Sequence, residues 1–302
     1  MAGMGCTEGY NRHWDVYNEG LVERGSLSLD LSWVPDHIKE IAEMNDGKRG
    51  RPFLYGNTLI NAVRRLKASS EMTYRSLEGF LGQIFELLGI IVPSYQTLWR
   101  RCSASAVSAS VSEDTRERTV AVDSTGIMVT VRGQWMREKW KIYKGWLKLH
   151  ILTDVQTNEI LYFIVTDERS GDAGHLLPLV DSAVAAGHRI IKVLADGAYD
   201  AIYNWNGMKE RKIEFIANIR KNARRVSRGC MIRWKHVHER DLIGEEEWKK
   251  KHGYNMRWKV ESAISDYKRM FGEHISSKTF GNMVNEIRGN IECFNLMKGA
   301  TR

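Results

Sequence analysis

A chain of 302 residues, 43% of them hydrophobic, has room for two domains, or for one large domain with an appendage, and enough apolar side chains for a sizeable core. No secretory leader follows Met1, and the longest apolar run, residues 80–92, is short and broken by Gln83 and Glu86, which excludes a membrane span and points to a cytoplasmic protein. The net charge of +8 is concentrated: nine basic residues face three acidic ones between Lys48 and Arg101, and eleven face five between Arg220 and Gly253, leaving the remainder at −4.

Two basic zones on a mildly acidic body suit a polyanion, double-stranded nucleic acid first, although a solvated helix face can carry as much charge. Residues 1–46 mix Trp, Asp, Asn and Gly without clear period and read as an extended arm with short helices. The segment "GKRGRP" that follows can lay Arg49 and Arg51 into a narrow A·T-rich minor groove, or serve as a plain polar linker. From Asn57 the pattern turns helical: "NTLINAVRRLKA", then "TYRSLEGFLGQIFELLG" with Thr73 as N-cap and Gly89 as terminator, then a helix capped by Ser94 that carries Gln96, Thr97, Arg100 and Arg101. That order is the layout of a helix-turn-helix unit, with a three-helix bundle as the plainer reading. The Ser/Ala-rich residues 103–114 read as a hinge.

Strand signals follow in "RTVAVDSTG", "GWLKLHILTDV" and "EILYFIVTD", then a helical "GHLLPLVDSAVAAG", the strand "RIIKVLADG" and a further strand "IEFIANI". Three strands, a helix and another strand open a ribonuclease-H-like core, an α/β fold with a mixed sheet flanked by helices. The basic stretch at about 220–253 is an insertion before the helical run "YNMRWKVESAISDYK", and its charge can clamp DNA or merely be solvated. At about 100° per residue, Tyr254, Arg257, Glu261 and Lys268 share a stripe about 60° wide beside an apolar one of Val260, Ile264, Tyr267 and Phe271. Val284, Ile287, Ile291 and Phe294 predict a final helix laid on the sheet. The expected division is 1–52 as arm, 53–117 as helical DNA-binding domain and hinge, and 118–302 as catalytic domain.

Asp123 and Asp196 each end a buried apolar strand, where open α/β folds bind ligands. Alone, either Asp is an ordinary turn residue. With Glu261 they offer three hard oxygen ligands, able to hold two divalent ions at a phosphate. Trp135, Trp140 and Trp146 read as packing residues or base-stacking ones. Cys6, Cys102, Cys230 and Cys293 contain no CxxC pair, so they are read as reduced thiols; His236 and His238 near Cys230 imitate a zinc site that lacks a fourth ligand.

"VDSTG" around Asp123, "ADGAYD" around Asp196 and the Tyr-x2-Arg-x3-Glu-x6-Lys pattern met by Tyr254, Arg257, Glu261 and Lys268 resemble the motifs of the DDE transposases of prokaryotic insertion sequences, in the insertion sequence five family. The likeness extends through "YNEGLVERGSLSL", "KRGRP", "LEGF", "KLH", "RKNAR", "WKKKHGY" and "FNLM". It implies that Asp123, Asp196 and Glu261 are the catalytic metal ligands for two Mg²⁺, with Mn²⁺ able to substitute, and that Arg257 and Lys268 touch phosphates while Tyr254 positions the strand. Further DNA contacts are expected from Arg49, Arg51, Gln96, Arg100, Arg101, Arg220, Lys221, Arg224 and Arg225. The resemblance also implies a nucleoid-associated homodimer in its complex with transposon ends and target DNA, with no membrane and no small-molecule substrate. The rival readings are a catalytically silent DNA-binding protein, either a repressor or a domesticated relic, and another ribonuclease-H-like nuclease such as a junction resolvase.

Overall fold

In a computed structural model of the chain the described residues are 14–27, 29–70, 72–104, 116–129, 145–220, 223, 226 and 229–299. Five helices precede the first strand: α1 (Trp14–Leu27), α2 (Val34–Asn45), α3 (Asn57–Ser70), α4 (Tyr74–Leu87) and α5 (Tyr95–Ala104). The stretch expected as an extended arm with short helices carries α1 and α2 over most of its described residues. The reason is burial: Trp33, at the start of α2, is enclosed with Leu59, Val63, Leu77, Leu81 and Phe85 in one apolar cluster.

The helix ends fall where the sequence puts them. Thr73 Oγ1 accepts from the Ser76 amide at 3.2 Å, and Ser94 Oγ from the Thr97 amide at 3.3 Å. Gly89, at φ +66°, closes α4 with two bonds of a Schellman motif, Ile90 N to Phe85 O at 2.9 Å and Gly89 N to Glu86 O at 3.3 Å. On α5, Gln96 and Arg100 are exposed. Arg101 departs from its expected outward role: it is half-buried and donates to Tyr55 O and Asn57 Oδ1, which ties α5 to the start of α3. Of the predicted hinge, Ser103 and Ala104 belong to α5 and the rest lies outside the described residues.

The second apolar cluster is built on a six-stranded mixed sheet. Its strands are β1 (Glu117–Val129), β2 (Trp146–Asp154), β3 (Ile160–Asp167), β4 (Arg189–Ala195), β5 (Glu214–Ala217) and β6 (His274–Ile275), in the order β3-β2-β1-β4-β5 with β6 on the far end of β1. β2 runs antiparallel to both neighbours, whereas β4 and β5 run parallel to β1. The flanking helices are α6 (Leu176–Ala185), α7 (Ile202–Glu210), α8 (Met231–Ile243), α9 (Glu245–Lys251), α10 (Trp258–Phe271) and α11 (Phe280–Gly299). This is the ribonuclease-H-like arrangement. Because helices cover the sheet, Val120, Ala121, Val122, Val193, Leu194 and Ala195 are fully buried and read as continuous apolar runs rather than alternating ones.

Trp146 packs on Gly126, where a Cβ would come within 3.0 Å of the indole; Trp135 and Trp140 lie outside the described residues. The N-terminal helices dock on α11. Arg64, only 8% exposed, runs its methylenes across Gly289, 3.4 Å from where a Cβ would stand, and Asn285 Nδ2 donates to Ser103 O at 2.7 Å.

Replacing Thr73 with Ala removes the α4 cap, and urea unfolding should show a loss of about 1 kcal/mol with an unchanged folded-state circular dichroism spectrum. An unchanged midpoint would mean that the cap contributes nothing.

Candidate active site

The parallel register of β1 and β4 ends at Val122 opposite Ala195, so the next residues, Asp123 and Asp196, leave two adjacent central strands side by side. Asp123 stays within β1 and its Oδ1 accepts from the Ser124 amide at 2.8 Å. Asp196 starts a 3₁₀ turn over Gly197–Tyr199. Gly197 is required there by a close approach, since a Cβ would stand 3.0 Å from Asn218 O just beyond β5.

The third carboxylate comes from α10, with one departure from the expected single helix. After Gly253, at φ +64°, the chain makes a 3₁₀ turn over Tyr254–Arg257, and the α-helix begins only at Trp258. Tyr254 lies in that turn and packs against β4. It is 7% exposed, and its hydroxyl donates to Ala195 O at 3.3 Å. Tyr254 is thus an anchor on β4 next to Asp196 and has no open face for a DNA strand. Val260, Ala263, Tyr267 and Phe271 are buried beneath α10, with Ile264 half-buried.

Arg257 and Glu261 keep the i,i+4 spacing and are ion-paired through Arg257 Nη2 and Glu261 Oε1. Arg257 Nη1 also lies 3.5 Å from Asp123 Oδ2. One guanidinium therefore spans two of the three carboxylates, in the gap a cation would need. Lys268 is half-buried and pairs with Glu273 at 3.6 Å.

The electrostatics follow from this crowding. Burial pushes the Asp123 carboxyl up, and the nearby Asp196 and Glu261 add to the effect, while the Ser124 amide and Arg257 oppose it. Burial also pushes the Tyr254 hydroxyl up to about 12, with Asp196, Asp123 and Glu261 contributing, so the hydroxyl remains a donor. Three acidic side chains in one electrostatic neighbourhood form a donor set suited to hard divalent cations.

A polar network that motif reading left without a role stands beside Asp123. Lys148 Nζ is 2.8 Å from Asp172 Oδ1, His150 Nδ1 is 3.4 Å from the same oxygen, and Ser124, adjacent to Asp123, hydrogen-bonds Asp172. The His150 ring lies 4.4 Å from that of His175, whose Nε2 meets Ser170 Oγ at 2.6 Å. The available signal was the alternation of β2, which puts Lys148 and His150 on one face opposite Gly126 and Ser124.

Of the other candidate DNA contacts, Arg49, Arg51 and Arg220 are exposed, while Lys221, Arg224 and Arg225 lie outside the described residues. No helix among the described residues is long and apolar enough to cross a membrane.

A family model described as a transposase DDE domain matches residues 114–296, and a second with the same description matches residues 22–132. Among solved structures, the chain is similar to piggyBac transposase in a synaptic complex with hairpin DNA, at 11% identity and a TM-score of 0.42, covering 97% of this chain and 76% of that one. It is also similar to the Drosophila P element transposase strand transfer complex, at 11% identity and a TM-score of 0.35, covering 92% and 70%. Likeness that loose leaves the fold to be judged on the sheet itself.

Burial, His175 and Lys148 push the His150 imidazole down to about 4 against the pull of Asp172, so the folded chain holds it neutral while the unfolded chain binds a proton below about 6.5. Stability should therefore fall as pH drops from about 6.5 toward 4. Thermal midpoints of His150→Gln should lose less over that window than those of wild type, and an equal loss would mean that the folded state accommodates the charge.

Proposed function

The chain belongs to the transposase DDE domain family, whose members use divalent metal ions in DNA cleavage and strand transfer, and from that membership we propose an insertion-sequence transposase of the insertion sequence five family that cuts at its own terminal inverted repeats and joins the freed ends to target DNA. The observation that carries this reading is the β1/β4 register, which sets Asp123 beside Asp196, with Glu261 linked to Asp123 through Arg257.

In this reading Asp123, Asp196 and Glu261 would hold two Mg²⁺, a fit supported by the raised Asp123 carboxyl, pushed up chiefly by burial and further by the neighbouring Asp196 and Glu261. Bound there, the ions supply the Lewis acidity that activates an attacking oxygen and stabilises a leaving one at a phosphate. The chain's own residues do the rest. Tyr254, held on Ala195 O, fixes the start of α10 so that Glu261 stays over the sheet edge. Arg257 releases the carboxylates and turns to a phosphate next to the cut, and Lys268 exchanges Glu273 for another.

The two steps are inline displacements. Water attacks the phosphorus at the transposon boundary and the P–O3′ bond breaks, leaving a 3′ hydroxyl on the transposon and a 5′ phosphate on the flank. That hydroxyl then attacks a target phosphodiester, displacing the target's own 3′ oxygen, so one bond forms as one breaks. Orientation by the α5 helix and the exposed Arg49 and Arg51 fixes which phosphate is presented. Two ends must be brought together, so the working form is a homodimer on DNA.

The test is strand-specific cleavage of a labelled terminal-repeat duplex in Mg²⁺. Wild type should cut at the repeat boundary and Glu261→Gln should not, while both bind the duplex. Cutting of a four-way junction in preference to the repeat would favour a resolvase, and binding without cutting in wild type would favour a repressor. Affinity for the duplex should drop by about 10³ to 10⁵ between 50 and 200 mM salt. A flat response would contradict phosphate binding by the basic zones.

A further inference from the structure

Among the described residues one trio of ligand-type side chains does converge, and it lies outside the Asp123, Asp196 and Glu261 set. His236 and Glu239, one turn apart on α8, and His252, just after α9, bring a ring nitrogen or carboxylate oxygen each to within 4.8 Å of one another. The residues that sequence spacing grouped with His236 are not the partners. His238 is stacked on Trp234, with ring centroids 5.4 Å apart, and the missing ligand is His252, sixteen positions on and brought back by the α8–α9 turn at Gly244.

We propose that His236, Glu239 and His252 form a zinc site that ties the basic insertion to the entrance of the catalytic helix. Two imidazoles and one carboxylate are a common zinc donor set, leaving a fourth position for water. The geometry is close to what the ion requires. His252 Nε2 stands 2.8 Å from Glu239 Oε2, and tetrahedral ligands about 2.1 Å from zinc are about 3.4 Å apart, a difference that side-chain rotation covers.

The surroundings support a built site. His236 is fixed between Trp205 and Trp248, at ring-centroid distances of 5.1 and 5.9 Å, and its Nδ1 is buried without a hydrogen-bond partner. Lys251 pairs with the other carboxylate oxygen, Oε1 of Glu239, which orients Oε2 toward His252. A plain Glu239–His252 hydrogen bond would account for those two residues alone. His236 reaches them through an edge contact with His252, ring centroids 4.8 Å apart.

The consequence is positional. His252 precedes Tyr254 by two residues, and Tyr254 leads into Arg257 and Glu261. Zinc at this point would lock α8 and α9 to the segment from which the third carboxylate projects.

Tag-free full-length chain, dialysed against Zn²⁺ at pH 7.5 and then against metal-free buffer, should retain about one zinc per chain by elemental analysis. Asp123→Asn should retain the same amount. Glu239→Gln, His252→Ala and His236→Gln should each bind zinc at least tenfold more weakly. Zn²⁺ should also raise the thermal midpoint of wild type, a readout that does not depend on any variant folding. The proposal is overturned if wild type retains no zinc and shows no thermal shift, if the three variants hold zinc as wild type does, or if Asp123→Asn alone loses it.

Discussion

The parallel pairing of β1 with β4 is the constraint on which the rest depends. Where the pairing of two parallel central strands ends in register, their next residues stand at the same place, and here those residues are Asp123, within β1, and Asp196, just past β4. Parallel strands need a long crossover, which β2, β3 and α6 supply, and covering helices, which make the strand cores apolar throughout. The same geometry that buries Val122 and Ala195 leaves two like charges side by side. Such an arrangement is costly until a cation joins it.

In the free chain Arg257 supplies a cation beside Asp123. Its guanidinium lies against Asp123 and Glu261 and offsets part of the repulsion, so the polar stripe on α10 is an internal ion network as well as a surface. Tyr254, in the turn after Gly253, is buried and donates to Ala195, the last residue of β4. The lead into α10 and the end of β4 are thus joined at one buried hydrogen bond. Lys148 and His150 of β2 meet Asp172 beside Ser124, the residue after Asp123.

Much of this was legible in the sequence, for local reasons. The caps at Thr73 and Ser94, the terminator at Gly89 and the strand end at Asp196 rest on short-range chemistry, and each falls where its residues indicate, whereas β1 runs on past Asp123 to Val129 on its pairing with β2. What was not legible depends on tertiary contact. A helical wheel assumes one continuous helix, so it put Tyr254 on the polar stripe with Glu261; burial against β4 decided otherwise. Arg101 reads as a DNA-facing residue until Tyr55 and Asn57 are seen to accept from it. His252 could not be matched to His236 because the two meet only when α8 and α9 fold back on each other.

Asp123, Asp196 and Glu261 are proposed to act together as one divalent-cation site at the rim of the sheet. The most direct test is Mn²⁺ binding by electron paramagnetic resonance, with a terminal-repeat duplex present, comparing wild type with Asp123→Asn. Bound Mn²⁺ is expected in wild type, and its loss in the variant while the duplex remains bound. Equal Mn²⁺ binding by both proteins would contradict it and move the metal away from these carboxylates.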